Sequence, residues 1–291
     1  MSATTFELER LEGKTFGAVV RNIDLKNLGD VEWEAVRAAW IEYGLLVFPG
    51  QFLSIDEQNS FAERFGDLEF PAAPISNVTK DGAVHSDPAE DLVKSLRGNE
   101  GWHHDSTYMP VQAKGAVFTA EVVPAGGADT GFADMRAAYQ ALDTETRDLV
   151  QDLVAYHSLY YSQGRVGYLP RQEDDGSYGM YGYHDHEVSV RPLVRVHPET
   201  GISHLNIGRH AHNIPGMDPD ESEKLLDRLN EEAIADPDRV YFHQWTEGDA
   251  IVWDNRSLMH CATPFDMTQA RVMWHTRIAG ERESEAALNH A

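Results

Sequence analysis

Two short segments, separated by about half of the 291 residues, carry the side chains that most constrain the fold of this chain. The first reads Gly101-Trp102-His103-His104-Asp105-Ser106-Thr107-Tyr108, and the second reads Val252-Trp253-Asp254-Asn255-Arg256-Ser257-Leu258-Met259-His260. His103, Asp105 and His260 together supply two imidazoles and one carboxylate, the ligand set of an open non-haem iron site. We therefore expect the fold to bring both segments to one metal ion, with coordination positions left for a cosubstrate and for oxygen.

The spacing within the first segment indicates which side chains face the metal. Positions two apart on a β-strand share a face, so we expect His103 and Asp105 to face together, with Cβ atoms about 6–7 Å apart. His104 would then point away and have a structural role. Imidazole binds zinc, copper, nickel and iron alike, so the ligands alone do not select the metal. Three protein ligands leave an open site, which favours catalysis over a structural role.

The charge of the chain excludes several kinds of partner. Forty-eight acidic residues stand against 24 basic ones, for a net charge of −24. Such a chain repels phosphate backbones and anionic membranes, so we expect neither nucleic-acid nor membrane binding. A small-molecule anionic substrate would need a local cationic pocket. The sequence leaves the formation of a homo-oligomer open.

The compartment is predicted from what the sequence lacks. Residues 1–10 carry neither a basic region nor an apolar core of a signal peptide, and no stretch approaches the roughly 18 apolar residues that span a bilayer. Cys261 is the single cysteine, so no intrachain disulfide can form, and we expect it to be a small buried hydrophobic residue. These features predict a cytoplasmic protein.

Hydrophobic periodicity predicts a single β-rich domain over residues 1–291. Strands are predicted at 15–20, 44–49, 116–121, 193–197, 203–207, 250–253 and 271–278. Helices are predicted at 31–43, 54–65 (opened by a capping box of Ser54 and Glu57), 134–142, from Asp143, and from Asp218 to about Ala233. The Gly- and Tyr-rich segment at about 160–190 has no clear period and is predicted to be an active-site lid, with His184 and His186 on its surface.

Several segments, in order along nearly the whole chain, resemble the taurine dioxygenase and 2,4-dichlorophenoxyacetate dioxygenase family, which uses ferrous iron and 2-oxoglutarate. The resemblance implies a mainly β fold with flanking helices, a double-stranded β-helix (jelly roll). The segments that carry it are Gly44-Leu45-Leu46-Val47-Phe48-Pro49-Gly50-Gln51, Phe61-Ala62-Glu63-Arg64-Phe65-Gly66, Trp102-His103-His104-Asp105-Ser106-Thr107, Gly126-Gly127-Ala128-Asp129-Thr130, and Trp253-Asp254-Asn255-Arg256 leading to His260 and Arg271.

The resemblance also implies a role for individual residues. His103, Asp105 and His260 match the iron ligands, Arg271 matches the arginine that pairs with the distal carboxylate of 2-oxoglutarate, and Thr130 matches a threonine that hydrogen-bonds to it. A buried dicarboxylate suits the planar fork of donors that arginine offers and lysine lacks. Because Asp105 keeps its carboxylate, we expect hydroxylation of the substrate with oxygen, and not halogenation.

Residues of the last predicted strand suggest how a substrate is held. Arg271, Met273, His275 and Arg277 share one face of that strand. The family often has a second arginine where this chain has His275, and that arginine commonly binds the anionic group of the substrate. We therefore hypothesise a substrate carboxylate held by His275, by Arg277 or by both.

Within the family the chain is most similar to enzymes that attack aryloxyalkanoates, on the segments at 103–110, 132–139 and 208–212. There, hydroxylation beside the ether oxygen gives a hemiacetal that collapses and cleaves the ether. His210 lies where a substrate would pass. An aromatic-compatible pocket is predicted from Ile75, Val78, Tyr108, Met109, Tyr160 and Tyr161.

Two other classes of function remain as alternatives at this stage. A zinc-dependent hydrolase would use the same triad with a bound water as nucleophile. That class gives no role to Arg271 or Thr130. A non-catalytic jelly-roll binding module is the other alternative, and it would be expected to lose at least one of the three ligands.

Overall fold

The computed structural model describes residues 6–170, 172, 174–176, 178 and 181–291. Part of the predicted lid therefore lies outside the described residues. So does the start of the chain, on which the prediction of a cytoplasmic protein partly rests. The strands are β1 (Glu7–Arg10), β2 (Ala18–Arg21), β3 (Leu45–Phe48), β4 (Leu68–Ser76), β5 (Gly115–Val122), β6 (Thr130–Asp134), β7 (Val154–His157), β8 (Ser189–Pro192), β9 (Val194–Val196), β10 (Ser203–Leu205), β11 (Ala211–His212), β12 (Val240–His243), β13 (Ala250–Asp254), β14 (Leu258–Ala262) and β15 (Val272–Ile278). The α-helices are α1 (Asp30–Tyr43), α2 (Ile55–Glu63), α3 (Asp91–Gly98), α4 (Met135–Ala141), α5 (Thr144–Val150), α6 (Leu159–Gly164), α7 (Pro219–Ile234) and α8 (Arg282–Glu285).

The strands form one large sheet and three small ones within the described residues. The large sheet has the order β1-β2-β3-β13-β5-β15-β4, and the small sheets are β12-β6-β14, β11-β7-β8 and β10-β9. Apart from the parallel pair β2–β3, every strand pair is antiparallel in the described part of the chain. This sheet-rich architecture with flanking helices agrees with the predicted fold class at that level.

Two apolar cores lie on opposite faces of the large sheet. Helices α1 and α2 cover one face, where Trp40 and Phe61 pack with Leu46 and Phe48 of β3. On the other face Phe132 of the β12-β6-β14 sheet packs against residues of the large sheet such as Trp253. The two sheets therefore face one another across a shared core, and side chains that face inward from both meet there.

Helix starts follow the predicted capping residues. The Ser54 hydroxyl accepts a hydrogen bond from the Glu57 N–H, and the Glu57 carboxylate accepts one from the Ser54 N–H, so the capping box of α2 is present. The carboxylates of Asp134, Asp143 and Asp218 accept hydrogen bonds from backbone N–H groups in the first turns of α4, α5 and α7. These predictions are confirmed because capping depends on residues within one turn of each other. The strand predicted at 15–20 is shorter, since it begins only at Ala18.

A buried ion cluster holds the segment between β13 and β14. Asp254 accepts hydrogen bonds from Arg256, at 2.9 Å and 2.8 Å, and its Oδ2 lies 2.9 Å from His197 Nε2. Glu199 also pairs with Arg256, at 2.9 Å. Burial raises the pKa of Asp254, but Arg256 and His197 outweigh it and hold the pKa well below its ordinary value. The cluster fixes the turn that leads into β14.

Replacing Asp254 with Asn is expected to lower the free energy of unfolding by about 3 kcal/mol, because a buried guanidinium loses one of its two carboxylates. A carboxyl with a depressed pKa in the folded state stabilises the protein above its unfolded-state pKa of about 3.9, and that contribution is lost as pH falls. Urea unfolding of both proteins from pH 7 down to pH 3 measures this. An unchanged unfolding free energy at pH 7 would contradict the assignment.

The described helices show no membrane-spanning segment, because none combines the length and apolarity needed to cross a bilayer. Helix α7 is the longest of them, and it is amphipathic. It buries Leu225, Leu226 and Leu229 against the core and presents its charged side chains outward.

Candidate active site

One cavity lies between the large sheet and the β12-β6-β14 sheet. Together with its mouth, which is open to solvent, the space measures about 790 Å³. His275 and Arg277 of β15 line it from the large sheet, and Thr130 and His260 line it from the small sheet. The other described residues in its wall are Ile75, Asn77, Leu96, Arg97, Asn99, Glu100, His103, Asp105, Phe118, Trp253, Cys261, Ala262, Thr263, Phe265, Met267 and Arg271.

The structure brings the three predicted metal ligands together in this cavity. One ligand atom from each of His103, Asp105 and His260 lies within 4.8 Å of the other two. The backbones of His103 and His260 form a bridge, with N–H···O distances of 2.9 Å and 2.8 Å. All three residues are buried. The described residues thus contain the open two-histidine, one-carboxylate set that suits a catalytic metal.

The prediction that His103 and Asp105 face together because they lie on one β-strand is wrong, since residues 101–108 do not form a strand. His103 forms an isolated bridge, and Asp105 opens a turn in which Ser106 has a positive φ of 56°. His104 is fully buried, and its Nδ1 lies 2.8 Å from the Asn255 carbonyl oxygen, in agreement with a structural role. The turn, and not strand alternation, places the carboxylate beside the imidazole.

The protonation states of the three side chains suit a divalent metal. Burial lowers the pKa of His103 to about 4, and burial also holds the pKa of His260 well below its ordinary value, so both are neutral at pH 7. Burial raises the pKa of Asp105, but the charge of the Arg277 guanidinium outweighs it and holds the pKa well below its ordinary value, so the carboxyl is ionised. His103 Nδ1 lies 2.7 Å from the Gly101 carbonyl oxygen, to which it donates. Nε2 of His103 is therefore left with a free lone pair for a metal.

Glycine at position 208 allows the chain to pass directly behind His103. Its φ is +117°, and a Cβ there would lie 2.9 Å from the Trp102 carbonyl oxygen and 3.1 Å from His103 Cα. A larger residue would push this backbone away from His103. The Gly208-Arg209 segment thus has a packing role beside the site.

Asn255 positions the backbone of Asp105. Its Oδ1 accepts a hydrogen bond from the Asp105 N–H at 2.8 Å, and its Nδ2 donates to the carbonyl oxygens of Asp105, at 3.0 Å, and Ala113, at 2.8 Å. This role was not predicted from the sequence, although Asn255 belongs to the quoted segment. Its sequence distance from Asp105 hides the contact.

Replacing Asn255 with Ala is expected to weaken metal binding about 10–100-fold, the usual cost of losing a group that orients a ligand. The buried backbone groups of the Asp105 turn would lose their partners, and the carboxylate would no longer be held in place. Titration of the apoprotein with Fe(II) under anaerobic conditions measures the affinity. Wild-type affinity in a folded Asn255→Ala protein would contradict this role.

Arg277 and His275 approach the carboxylate of Asp105 from β15. Arg277 Nη2 donates to Asp105 Oδ1 at 2.8 Å, and its Nη1 donates to Ser106 Oγ at 2.9 Å. His275 Nε2 lies 3.3 Å from Asp105 Oδ2. The sequence-based hypothesis that one or both hold a substrate anion overlooked this engagement, because the contact between β15 and the Asp105 turn is a tertiary feature.

Arg271 is a buried cation without an acidic partner among the described residues. It is 5% exposed, and its guanidinium lies 6.0 Å from the ring of Phe118 and 5.8 Å from that of Phe265. Burial lowers its pKa to about 10, so the group is charged at pH 7. Asn77 Oδ1 accepts from the Arg271 N–H at 2.8 Å and anchors its backbone. A buried charge of this kind needs an anion to offset its desolvation.

Thr130 lies in the same cavity at the start of β6. Its Oγ1 accepts a hydrogen bond from Trp245 Nε1 at 2.9 Å. The hydroxyl hydrogen remains available to donate to a ligand. The structure thus places Thr130 and Arg271, both predicted from the family resemblance, in the wall of one cavity with the metal ligands.

The remaining predicted substrate residues divide into two groups. Ile75 lines the cavity, whereas Val78, Tyr108 and His210 are not among the described residues of its wall. His210 Nδ1 lies 2.8 Å from Ser162 Oγ, and its ring packs 5.6 Å from that of His103. Tyr108 packs into a separate apolar cluster with Tyr183. Contact of these three residues with a substrate stays a prediction.

Residues predicted outside the metal site lie as follows. Met109 and Tyr160 pack at the edge of the Tyr108 cluster, and the Tyr161 hydroxyl donates to Glu223, so none of these lines the cavity as described. His184 is half-buried and His186 is exposed. Cys261 is buried, and burial raises the pKa of its thiol to about 12.

Comparison with known proteins agrees with this geometry. The profile of the Taurine catabolism dioxygenase TauD, TfdA family matches residues 7–277. An (S)-phenoxypropionate/alpha-ketoglutarate-dioxygenase of Sphingobium herbicidovorans is 57% identical, over 98% of this chain and 99% of its own, and the enzyme of the same name from Delftia acidovorans is 53% identical, over 94% and 96%. The crystal structure of AAD-2 with Mn(II) and N-oxalylglycine superposes with a TM-score of 0.86 and 35% identity, over 98% of this chain and 99% of that one.

Proposed function

Since this chain belongs to the TauD, TfdA family of taurine catabolism dioxygenases, we propose that it hydroxylates a 2-aryloxypropionate at the carbon next to the ether oxygen. It is a 2-oxoglutarate-dependent dioxygenase, because relatives that are 57% and 53% identical over nearly the whole chain bear that activity in their names. A zinc hydrolase or a non-catalytic binding module has no support. The relatives act on (S)-phenoxypropionate, a small carboxylate with an aryl ether.

One observation supports the proposal most strongly. The buried, unpaired guanidinium of Arg271 shares a cavity with two neutral imidazoles and one ionised carboxylate that converge within 4.8 Å. A hydrolytic metal site has no use for such a cation. A dicarboxylate cosubstrate needs it, because a bidentate arginine offers two charge-assisted hydrogen bonds to one carboxylate.

We propose that His103, Asp105 and His260 hold ferrous iron. Two neutral imidazoles and one ionised oxygen donor on one face fit this ion and leave positions open for 2-oxoglutarate and oxygen. Iron, when bound, supplies the redox chemistry that activates oxygen. Arg277 holds Asp105 Oδ1, which leaves Oδ2 as the oxygen for the metal.

We propose that Arg271 and Thr130 orient 2-oxoglutarate. Arg271 would pair with the distal carboxylate, and the Thr130 hydroxyl, whose oxygen already accepts from Trp245, would donate to the same group. The rings of Phe118 and Phe265 flank the guanidinium. They exclude water from the ion pair and so strengthen it.

The overall reaction balances as follows. One atom of O₂ enters succinate as 2-oxoglutarate loses CO₂, and the other replaces the hydrogen on C2 of the substrate as a hydroxyl group. The resulting hemiketal collapses as the bond between C2 and the ether oxygen breaks. The hydroxyl becomes the carbonyl of pyruvate, and the phenol leaves with the proton. The cavity encloses the reacting groups between two sheets and keeps bulk water away from them.

The proposal also covers the fold class and a lid over the site. We regard the two facing sheets as the double-stranded β-helix (jelly roll) of the family, within a single domain. The segment at about 160–190 is proposed as a lid, because the Tyr181 hydroxyl hydrogen-bonds to Glu69, which in turn contacts Ser106 and Arg277 beside the metal ligands. This contact ties the described part of that segment to the site.

The direct test supplies anaerobically purified apoprotein with Fe(II), 2-oxoglutarate and (S)-2-phenoxypropionate and then admits oxygen. Succinate, phenol and pyruvate are expected in equal amounts. Without the aryloxypropionate, no phenol or pyruvate and no excess succinate should form. The (R)-enantiomer, 2,4-dichlorophenoxyacetate and taurine serve as comparison substrates. If no aryloxyalkanoate stimulates succinate formation, the proposed substrate class is overturned. If Fe(II) supports no succinate formation under any condition, the proposed cofactor is overturned.

A further inference from the structure

The cationic side chains of the cavity wall differ in what already neutralises them. Arg271 lies beside Thr130 in the position proposed for 2-oxoglutarate. Arg277 is 7% exposed and already pairs with two carboxylates, Asp105 at 2.8 Å and Glu69 at 3.9 Å, and donates to Ser106 at 2.9 Å. Removing Arg277 from these contacts to bind a substrate would leave two buried carboxylates without their cation.

His275 is also engaged by its surroundings. Its Nε2 lies 3.3 Å from Asp105 Oδ2, and its ring stacks on Trp253 with centroids 5.6 Å apart and 9° between the planes. The ring of Phe118 also packs edge-on against the imidazole, with centroids 5.5 Å apart. His275 is thus packed against aromatic rings and lies next to a carboxylate, a position unsuited to an incoming anion.

Arg97 is different in both respects. It lies in the last turn of α3, lines the same cavity, and its residue is exposed to solvent. Its guanidinium makes no hydrogen bond or ion pair with any side chain in the part of the chain that the structure describes. Glu100 also lines the cavity, and the charge of Arg97 partly offsets the rise in its pKa that burial causes. None of the described side chains thus occupies the five donors of Arg97, which suits them to bind a ligand.

The residues next to Arg97 suit the rest of an aryl ether. Leu96, the preceding residue on α3, lines the cavity, as does Ile75 of β4. These two apolar side chains and the arginine present an apolar wall with a cation at its edge. An aryloxypropionate has the same arrangement, with a ring at one end and a carboxylate at the other.

We propose that Arg97 binds the carboxylate of the substrate and so determines which aryl ethers the enzyme accepts. This inference rests on the proposed function, since it assigns a residue to the substrate of that reaction. It replaces the sequence-based hypothesis that His275 or Arg277 holds the anion. Arg97 comes from a helix and is exposed, whereas the arginine proposed for 2-oxoglutarate, Arg271, directly precedes β15 and is buried.

The test compares (S)-2-phenoxypropionate with its uncharged methyl ester in wild-type protein and in Arg97→Gln. The measured quantity is the kcat/KM for the acid divided by the kcat/KM for the ester. Loss of a charge-assisted pair is expected to reduce this ratio by about tenfold or more in Arg97→Gln, mainly because KM for the acid rises. The KM for 2-oxoglutarate is expected to stay near its wild-type value. Arg97→Lys should restore part of the preference, since it keeps the charge but not the fork.

One control variant and one variant with the opposite expected effect make the outcome specific to Arg97. Lys94→Gln removes the same charge from the same helix, one turn earlier, at a side chain that pairs with Asp91 and is not among the described residues of the cavity wall. It should leave the acid-to-ester ratio unchanged. Glu100→Gln removes a negative charge from the wall and should lower KM for the acid.

The outcomes separate the two proposals. If wild-type protein cleaves the acid and Arg97→Gln keeps the acid-to-ester ratio, the role of Arg97 is overturned while the proposed function stands. If wild-type protein releases no succinate with the acid, both fall. If Arg97→Gln loses binding of 2-oxoglutarate as well as of the acid, and Arg97→Lys restores neither preference, the residue is structural and the proposal is overturned.

Discussion

The His260→Ala protein is expected to bind Fe(II) too weakly to support turnover. Its succinate formation should fall by more than the roughly 10–100-fold that is lost when a residue that only orients a metal ligand is removed. His260 supplies one of the three ligands that converge within 4.8 Å, and its strand β14 carries it into the cavity opposite Asp105. An alanine leaves two protein ligands, too few to hold the ion against water. Metal affinity is measured by anaerobic titration, and activity by succinate release.

The matched control for this change is His186→Ala, which removes an exposed imidazole outside the cavity. It should keep both metal affinity and activity. Circular dichroism should show both variants folded, because the buried backbone bridge between His103 and His260 does not depend on the side chain. Retention of wild-type activity by the His260→Ala protein would remove this residue from the site.

The second large effect is expected at Arg271. Replacing it with Ala should raise KM for 2-oxoglutarate by about 100-fold or more while Fe(II) affinity changes little, because a buried carboxylate would lose a bidentate cation. The guanidinium lies near the rings of Phe118 and Phe265, and it forms no hydrogen bond or ion pair with the metal ligands in the described part of the chain. Kinetics at varied 2-oxoglutarate, together with Fe(II) titration, separate the two effects.

Arg271→Lys serves as the partner variant. Lysine keeps the charge but lacks the planar fork, so KM should fall between those of the wild-type and alanine proteins. A hydrolytic enzyme would show no such dependence. If Arg271→Ala retained the wild-type KM for 2-oxoglutarate, the assignment of this residue would be wrong.

Local features of the fold were predictable from the sequence. The caps of α2, α4, α5 and α7 lie within a turn of the backbone groups that they satisfy, so Ser54, Asp134, Asp143 and Asp218 indicated where these helices begin. The buried strand β3 followed from an uninterrupted apolar run. Such signals need only the neighbouring residues.

The metal site was predictable for a different reason. Spacing suggested that His103 and Asp105 face together, but the strand on which that argument rested does not exist. The family resemblance identified the convergence with His260 correctly. Strand alternation was sound for β15, where His275 and Arg277 line one cavity together with Arg271, which directly precedes the strand.

The contacts within that cavity could not be predicted from the sequence. Arg277 pairs with Asp105 only because β15 packs against the turn after His103, and Asn255 clamps the same turn from another segment. Arg97 lies on a helix whose sequence carries no catalytic pattern. These relations depend on the packing of distant elements, so a single sequence contains no local signal for them.

The central claim is that His103, Asp105 and His260 hold a ferrous ion to which 2-oxoglutarate binds. Anaerobic addition of Fe(II) and then 2-oxoglutarate to the apoprotein is expected to produce a weak visible charge-transfer band. The same additions to the His260→Ala protein should leave the spectrum without it. A wild-type protein that binds both compounds without the band, or a variant that keeps it, would contradict the account.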